Sequence, residues 1–168
     1  MNLIEAMDAR VSRRTYIDAR IESKKAFYLT ELIREINQES GLSIEFVENG
    51  AKAFDGFGKS YGLFKGVRSL FILKGPNADP HLMEKCGYFG ERLVLEATRL
   101  ELGTCWVGGS FDKNAKLVDL KDDESIVCVI TVGETSTKLT LKESMINQLT
   151  HRKQKPTDYF YVSDEVPP

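Results

Sequence analysis

Three residues near the start of the chain, Arg10, Ser12 and Arg14, alternate through Arg10-Val11-Ser12-Arg13-Arg14-Thr15-Tyr16. In an extended segment alternate residues project from one side, so two guanidiniums and a hydroxyl would converge. That set suits a phosphate, because Arg binds phosphoryl oxygens through charge-assisted, often bidentate hydrogen bonds, each contributing about 1.5 to 3 kcal/mol when ordered. The same cations would also complement the negative end of a preceding helix dipole, worth about 0.3 to 1 kcal/mol, and spacing alone leaves both readings open. A second stretch, Leu102-Gly103-Thr104-Cys105-Trp106-Val107-Gly108-Gly109, holds the one tryptophan of the chain and a glycine pair. Glycines have no Cβ to hold a planar ring away, so main-chain N–H groups there could meet a flat ligand. The plainer account is a glycine helix cap followed by a buried strand.

Other chemistry finds little support. Cys105 has no neighbouring histidine to activate it and reads as a small apolar core residue. His81 and His151 are isolated, and no Cys or His pairs stand at zinc-site spacing, so no metal is expected. Asp122, Asp123 and Glu124 read as a solvated turn rather than an acid/base pair.

The elements that must carry the two stretches fit one domain of 168 residues. Hydrophobic residues make up 42% and charged residues 29%, which is ordinary for a globular chain, and a net charge of -2 offers no broad attraction to nucleic acid or an anionic membrane. Three cysteines suggest reduced thiols, and with no signal-like or membrane-length apolar run the expected location is the cytoplasm. A short amphipathic run, residues 2–9, carries Leu3, Ile4 and Met7 on one face. Helical spacing then predicts residues 23–40, capped by Ser23 and closed by Gly41, with Phe27, Tyr28, Leu32, Ile33 and Ile36 inward. Leu42, Ile44 and Phe46 alternate as a half-buried strand, followed by a loop, residues 49–66, of glycines and packing aromatics. Residues 69–74, ended by Gly75-Pro76, and 126–132, ended by Gly133, read as buried strands. Between them residues 79–102 read as a helix with Tyr88, Leu93, Ala97 and Leu100 on its core face. Gly87 and Gly90 each cost that helix about 1 kcal/mol relative to alanine, which implies close approach of a neighbour. A last helix, residues 142–149, turns Met145, Ile146 and Leu149 inward and runs into basic residues and an aromatic tail, 157–168.

Taken in order, these segments resemble the nitroreductase family, and within it a divergent branch. The likeness is carried by Arg-x-Ser-x-Arg-x-Tyr at 10–16, Tyr61-Gly62-Leu63-Phe64-Lys65-Gly66-Val67, Leu73-Lys74-Gly75-Pro76, Glu84-Lys85-Cys86-Gly87-Tyr88-Phe89-Gly90-Glu91, residues 102–109, and His151-Arg152-Lys153-Gln154-Lys155-Pro156. The resemblance implies an α+β fold with a central, mostly antiparallel sheet flanked by helices, and a homodimer in which the tail packs on the partner subunit. It implies FMN as cofactor, NADH or NADPH as electron donor, and nitroaromatics, quinones or similar small molecules as acceptors. No catalytic side chain is then required, because the flavin carries the redox chemistry. The cofactor-binding residues implied are Arg10, Ser12 and Arg14, with Arg152, Lys153 and Lys155 closing on the phosphate, and Trp106, Val107, Gly108 and Gly109 against the ring. A backbone N–H there would stabilise charge developing on the ring. The family's Ala-Pro-Ser-x-x-Asn-x-Gln-Pro segment, which touches the flavin, is absent after Tyr16 and after Pro156. A short, truncated or degenerate member would each account for this, the last as a non-catalytic flavin- or nucleotide-binding module.

Overall fold

A computed structural model describes residues 1–51, 54, 63–109 and 117–150, without the side chains of residues 147, 149 and 150. Four strands form one sheet in the order β1 (Glu45–Val47), β2 (Ser69–Pro76), β4 (Glu124–Gly133), β3 (Gly103–Val107), with every pair antiparallel. Among the described residues four helices accompany it: α1 (Leu3–Ala9), α2 (Ser23–Ser40), α3 (Leu82–Arg99) and α4 (Leu141–Thr150).

One face of the sheet, with Phe71, Leu73, Ile130 and Val132, packs against Leu29, Ile33 and Ile36 of α2 and Leu93, Val94 and Ala97 of α3. The other face, with Leu70, Ile72, Val107 and Val129, is covered by Phe54, Phe64 and Val118 from loops. Apolar side chains are therefore removed from water on both faces, which explains why β2 reads as an unbroken hydrophobic run rather than an alternating one. Full burial stabilises a side chain such as Phe71 by about 1.5 to 3 kcal/mol.

Helix positions agree with the sequence reading more closely than helix faces do. In α2 the buried stripe is Leu29, Leu32, Ile33 and Ile36, spaced i, i+3, i+4, i+7; Phe27 is 69% exposed, and Tyr28 lies at the rim with its hydroxyl on Glu96 Oε2 at 2.9 Å. Gly41 closes α2 in the left-handed region at φ 74°, as expected, whereas Glu22 rather than Ser23 precedes its first turn, without a side-chain cap. In α3 the stripe is Cys86, Phe89, Gly90, Leu93, Val94 and Ala97; Tyr88 is 71% exposed. In α1 Ala6 alone is buried, and the apolar residues Leu3, Ile4 and Met7 are exposed. α1 lies against α3. Met145 of α4 is likewise exposed, and the side chain of Leu149 is outside those described.

Strand limits differ as well. β1 is confined to three residues, although Leu42 and Ile44 before it are buried. β2 continues through Gly75 and Pro76, which suits a proline at the end of a strand, and its register shifts between Leu73 and Lys74. Glu124 is not part of a solvated turn. It is buried at the start of β4 and paired with Lys74 Nζ at 2.9 Å, which also meets Glu45 Oε1 at 3.0 Å. A hydrogen bond from Ser43 and the Lys74 ammonium hold the Glu124 carboxyl down at about 2.

Candidate functional site

α1 starts with a capping box, Asn2 Oδ1 accepting from Glu5 N at 2.9 Å and Asn2 N donating to Glu5 Oε2 at 2.8 Å. It stops at Arg10, whose backbone turns extended (φ −61°, ψ 128°). The chain then runs along the free edge of β3: Ser12 bridges Thr104 in parallel, and Arg13 N donates to Thr104 O at 2.8 Å. A second bridge, Thr15 with Lys65, fixes the far end through Tyr16 N to Lys65 O and Lys65 N to Arg14 O, both 2.9 Å. Gly66 beside it has φ 70°, and a Cβ there would lie 2.5 Å from Tyr16 O. Because residues 12–15 are extended, their side chains part to two sides.

Arg13 occupies one side. Its guanidinium is buried and meets Thr135 Oγ1 and Ser136 O, both at 3.0 Å, Lys138 O at 3.3 Å and Glu143 Oε1 at 3.4 Å. Gly103 makes room for it, since a Cβ there would lie 2.9 Å from Arg13 Cβ. That packing, rather than a cap, accounts for the glycine: α3 ends at Leu100, and Glu101 takes the left-handed position at φ 62°. Glu143 in turn accepts from Arg14 N at 2.7 Å and Thr15 N at 3.0 Å through Oε1, and from Thr140 N and Oγ1, both at 2.9 Å, through Oε2. Burial would raise this carboxyl, but the Thr140, Arg14 and Thr15 amides hold it at about 2. Tyr16 Oη is buried beneath the segment, donating to Arg13 O at 2.7 Å and lying 2.6 Å from Thr131 Oγ1; burial pushes the phenol well above its usual range.

Ser12 and Arg14 both act on Cys105 of β3. Burial and, to a smaller extent, the Glu143 charge raise the Cys105 thiol, while Arg14, a hydrogen bond with Ser12, and Arg10 pull it down. The available donors of Arg10 and Arg14 differ. Arg10 Nε is engaged by Glu91 Oε1 at 3.3 Å, and Glu91 Oε2 accepts from Trp106 Nε1 at 3.0 Å. Arg14 Nη1 is buried and has no hydrogen-bond partner among the described residues. A buried cationic donor left unpaired is costly, so a site completed by an anionic acceptor fits it.

Of the four residues in the ring-wall stretch, two turn inward. Trp106 packs on α3 over Gly90, where a Cβ would strike its ring, and Val107 belongs to the loop-side core. Gly108 and Gly109 are exposed after β3, and a Cβ on either would meet nothing within 4 Å among the described residues. A groove of about 450 Å³ lies on the Arg13 side, lined in part by Arg10, Glu101, Glu134 and Ser136. Its two carboxylates make it a poor match for phosphate. Arg152, Lys153, Lys155 and the tail 157–168 lie outside the described residues. Among the described residues no cluster of three or more His, Cys, Asp or Glu could hold a metal, and no helix is long and apolar enough to cross a membrane.

Sequence reasoning missed Arg13, Glu91 and Glu143. Thr140-Leu141-Lys142-Glu143 carries a capping-box signature, and Glu143 N does donate to Thr140 Oγ1 at 3.2 Å. That signal locates the helix start but not the reach of its carboxylate to Arg14 and Thr15, more than a hundred positions earlier.

A family model described as "Putative TM nitroreductase" matches residues 2–168. Similar solved structures include a nitroreductase with bound FMN from Bacteroides fragilis NCTC 9343, with a TM-score of 0.70, 14% identity, and coverage of 97% of this chain and 100% of that one. A nitroreductase family protein from Clostridium difficile 630 gives a TM-score of 0.68 at 17% identity, covering 97% and 99%. An FMN-dependent nitroreductase from Clostridium difficile R20291 gives 0.62 at 18% identity, covering 90% and 99%. No curated protein matches the chain.

Proposed function

The chain belongs to the nitroreductase family, and from that premise we propose that it binds FMN and passes electrons from NADH or NADPH to a small acceptor such as a nitroaromatic or a quinone. The observation that carries this reading is Arg14 Nη1, buried and without a hydrogen-bond partner among the described residues. Arg14 and Ser12 would hold the FMN phosphate or ribityl chain. Arg10 would contribute less, because Glu91 already engages it. The exposed Gly108–Gly109 backbone would lie against the ring, with Trp106 supporting from behind through its packing on Gly90. Arg152, Lys153 and Lys155 follow α4 directly and would approach the same phosphate. FMN, when bound, supplies the hydride-accepting chemistry, and the protein binds and orients it.

A homodimer accords with the outward apolar face of α1, where Ile4 is 71% exposed. Free cysteines Cys86, Cys105 and Cys128 accord with a reducing cytoplasm.

The test is to titrate the protein with FMN and riboflavin, then follow oxidation of each nicotinamide with and without a nitroaromatic or quinone. FMN should bind and support turnover. Arg14→Ala should weaken FMN about 10- to 100-fold, the equivalent of one charge-assisted hydrogen bond, and riboflavin much less. Equal weakening of both would remove the phosphate from Arg14. Tight FMN binding without reduction by either nicotinamide would favour the non-catalytic flavin-binding module that the missing Ala-Pro-Ser-x-x-Asn-x-Gln-Pro segment suggests.

A further inference from the structure

We propose that Glu143 is a positioning residue that couples docking of α4 to phosphate binding by the Arg14 segment; this rests on the flavin reading above. The geometry is one-sided. Five donors surround one buried carboxylate: the Arg14 and Thr15 amides and Arg13 Nε on Oε1, and the Thr140 amide and hydroxyl on Oε2. One oxygen belongs to the start of α4, the other to the extended segment, so a single side chain rivets two parts of the chain that are distant in sequence. Arg13 lies on the same rivet, and its further bonds to Thr135 and to the Ser136 and Lys138 carbonyls tie the β4–α4 connection to it.

The consequence for a ligand follows from backbone direction. Holding the amides of residues 14 and 15 on one carboxylate oxygen fixes the backbone from which the Arg14 side chain departs. Glu143 touches no ligand; it sets the direction from which Arg14 Nη1 is presented. Anion binding at Arg14 and seating of α4 thus draw on one set of hydrogen bonds, which is the physical content of coupling between two places.

Charge and geometry make opposite predictions for Glu143→Gln. If the carboxylate mattered to an anionic ligand through its charge, its removal would tighten FMN. If it acts by orienting Arg14, an amide that presents N–H groups to surrounding donors would loosen the segment and weaken FMN. The experiment uses the full chain, wild type and Glu143→Gln, with FMN and riboflavin titrations and hydrogen exchange of peptides covering residues 10–16 and 141–150. Glu143→Ala serves as the stronger truncation where it folds. In the absence of ligand, exchange in both peptides should rise about tenfold in Glu143→Gln, as the loss of hydrogen bonds to a charged acceptor implies. FMN should bind about tenfold more weakly, riboflavin should change less than about threefold, and FMN should protect residues 141–150 in the wild type but not in the variant. Unchanged or tighter FMN binding by Glu143→Gln, with the wild type binding normally, overturns the coupling and leaves the flavin reading intact. Failure of the wild type itself to bind FMN overturns both.

Discussion

Two glycines on α3, three residues apart, allow the packing beneath the candidate ring wall to be measured against an internal control. Gly90→Ala would place a methyl group on Trp106 Cη2 and 2.8 Å from Leu73 Cδ1, well inside the 3.5 to 4.0 Å at which carbon atoms attract. Gly87→Ala would meet nothing within 4 Å. Both exchanges gain the same helix propensity, about 1 kcal/mol, so their difference isolates the overpacking, about 1 to 3 kcal/mol. Gly87→Ala should therefore stabilise by about 1 kcal/mol, and Gly90→Ala should be less stable than it by about 1 to 3 kcal/mol. For a chain of this length that separates their Tm values by roughly 2 to 10 °C. Urea unfolding followed by far-ultraviolet circular dichroism gives the stabilities. Emission from Trp106, the one tryptophan in the chain, gives the local response. Its hydrogen bond to Glu91 is displaced as the indole moves, so the Gly90→Ala spectrum should shift before any unfolding while that of Gly87→Ala should not. Gly90→Ala as stable as Gly87→Ala, with an unaltered spectrum, would refute the account of Trp106 as seated on α3.

Other perturbations test the supporting structure. Lys74→Met leaves Glu124 buried beside an apolar neighbour and should destabilise by about 3 to 5 kcal/mol in urea unfolding, with most of the loss recovered when Glu124→Leu is added; an innocuous single variant would count against the buried pair. The Glu143 carboxyl sits at about 2 against an ordinary 4.5, so its stabilisation is complete above about 4.5 and is lost as pH falls from there toward 2. Glu143→Gln should accordingly flatten stability against pH across that interval, and an unchanged slope would contradict the hydrogen-bond network. Burial raises all three thiols, Cys86 to about 12 and Cys128 to about 11, so alkylation at pH 7.5 should be slow in the native protein and complete only after unfolding in guanidinium; rapid native labelling of Cys86 or Cys105 would contradict their burial.

Element type and order were legible because periodicity and punctuation are local. The α2 range, Ser23–Ser40, and its Gly41 terminus follow from helical spacing and the left-handed tolerance of glycine. Faces were less legible. Large apolar residues such as Ile4, Phe27 and Tyr88 suggest the core by type, yet the buried stripe is chosen by how closely two backbones approach, which selects Ala6 in α1 and Gly90 in α3. The alternation of Arg10, Ser12 and Arg14 was visible in the chain. Which arginine keeps an unspent donor was not visible, because Arg10 and Arg13 find their carboxylates on α3 and α4.

Sequence by itself thus determined the α+β elements, the family and the two stretches that meet at β3, because those depend on residue type and near-neighbour spacing. Tertiary structure decided that Arg13 is held by Glu143, that Arg10 shares Glu91 with Trp106, and that Arg14 Nη1 remains buried without a partner among the described residues. The Arg10–Glu91 and Arg13–Glu143 contacts span about eighty and one hundred and thirty positions, where only the folded backbone brings donor and acceptor within 3.5 Å.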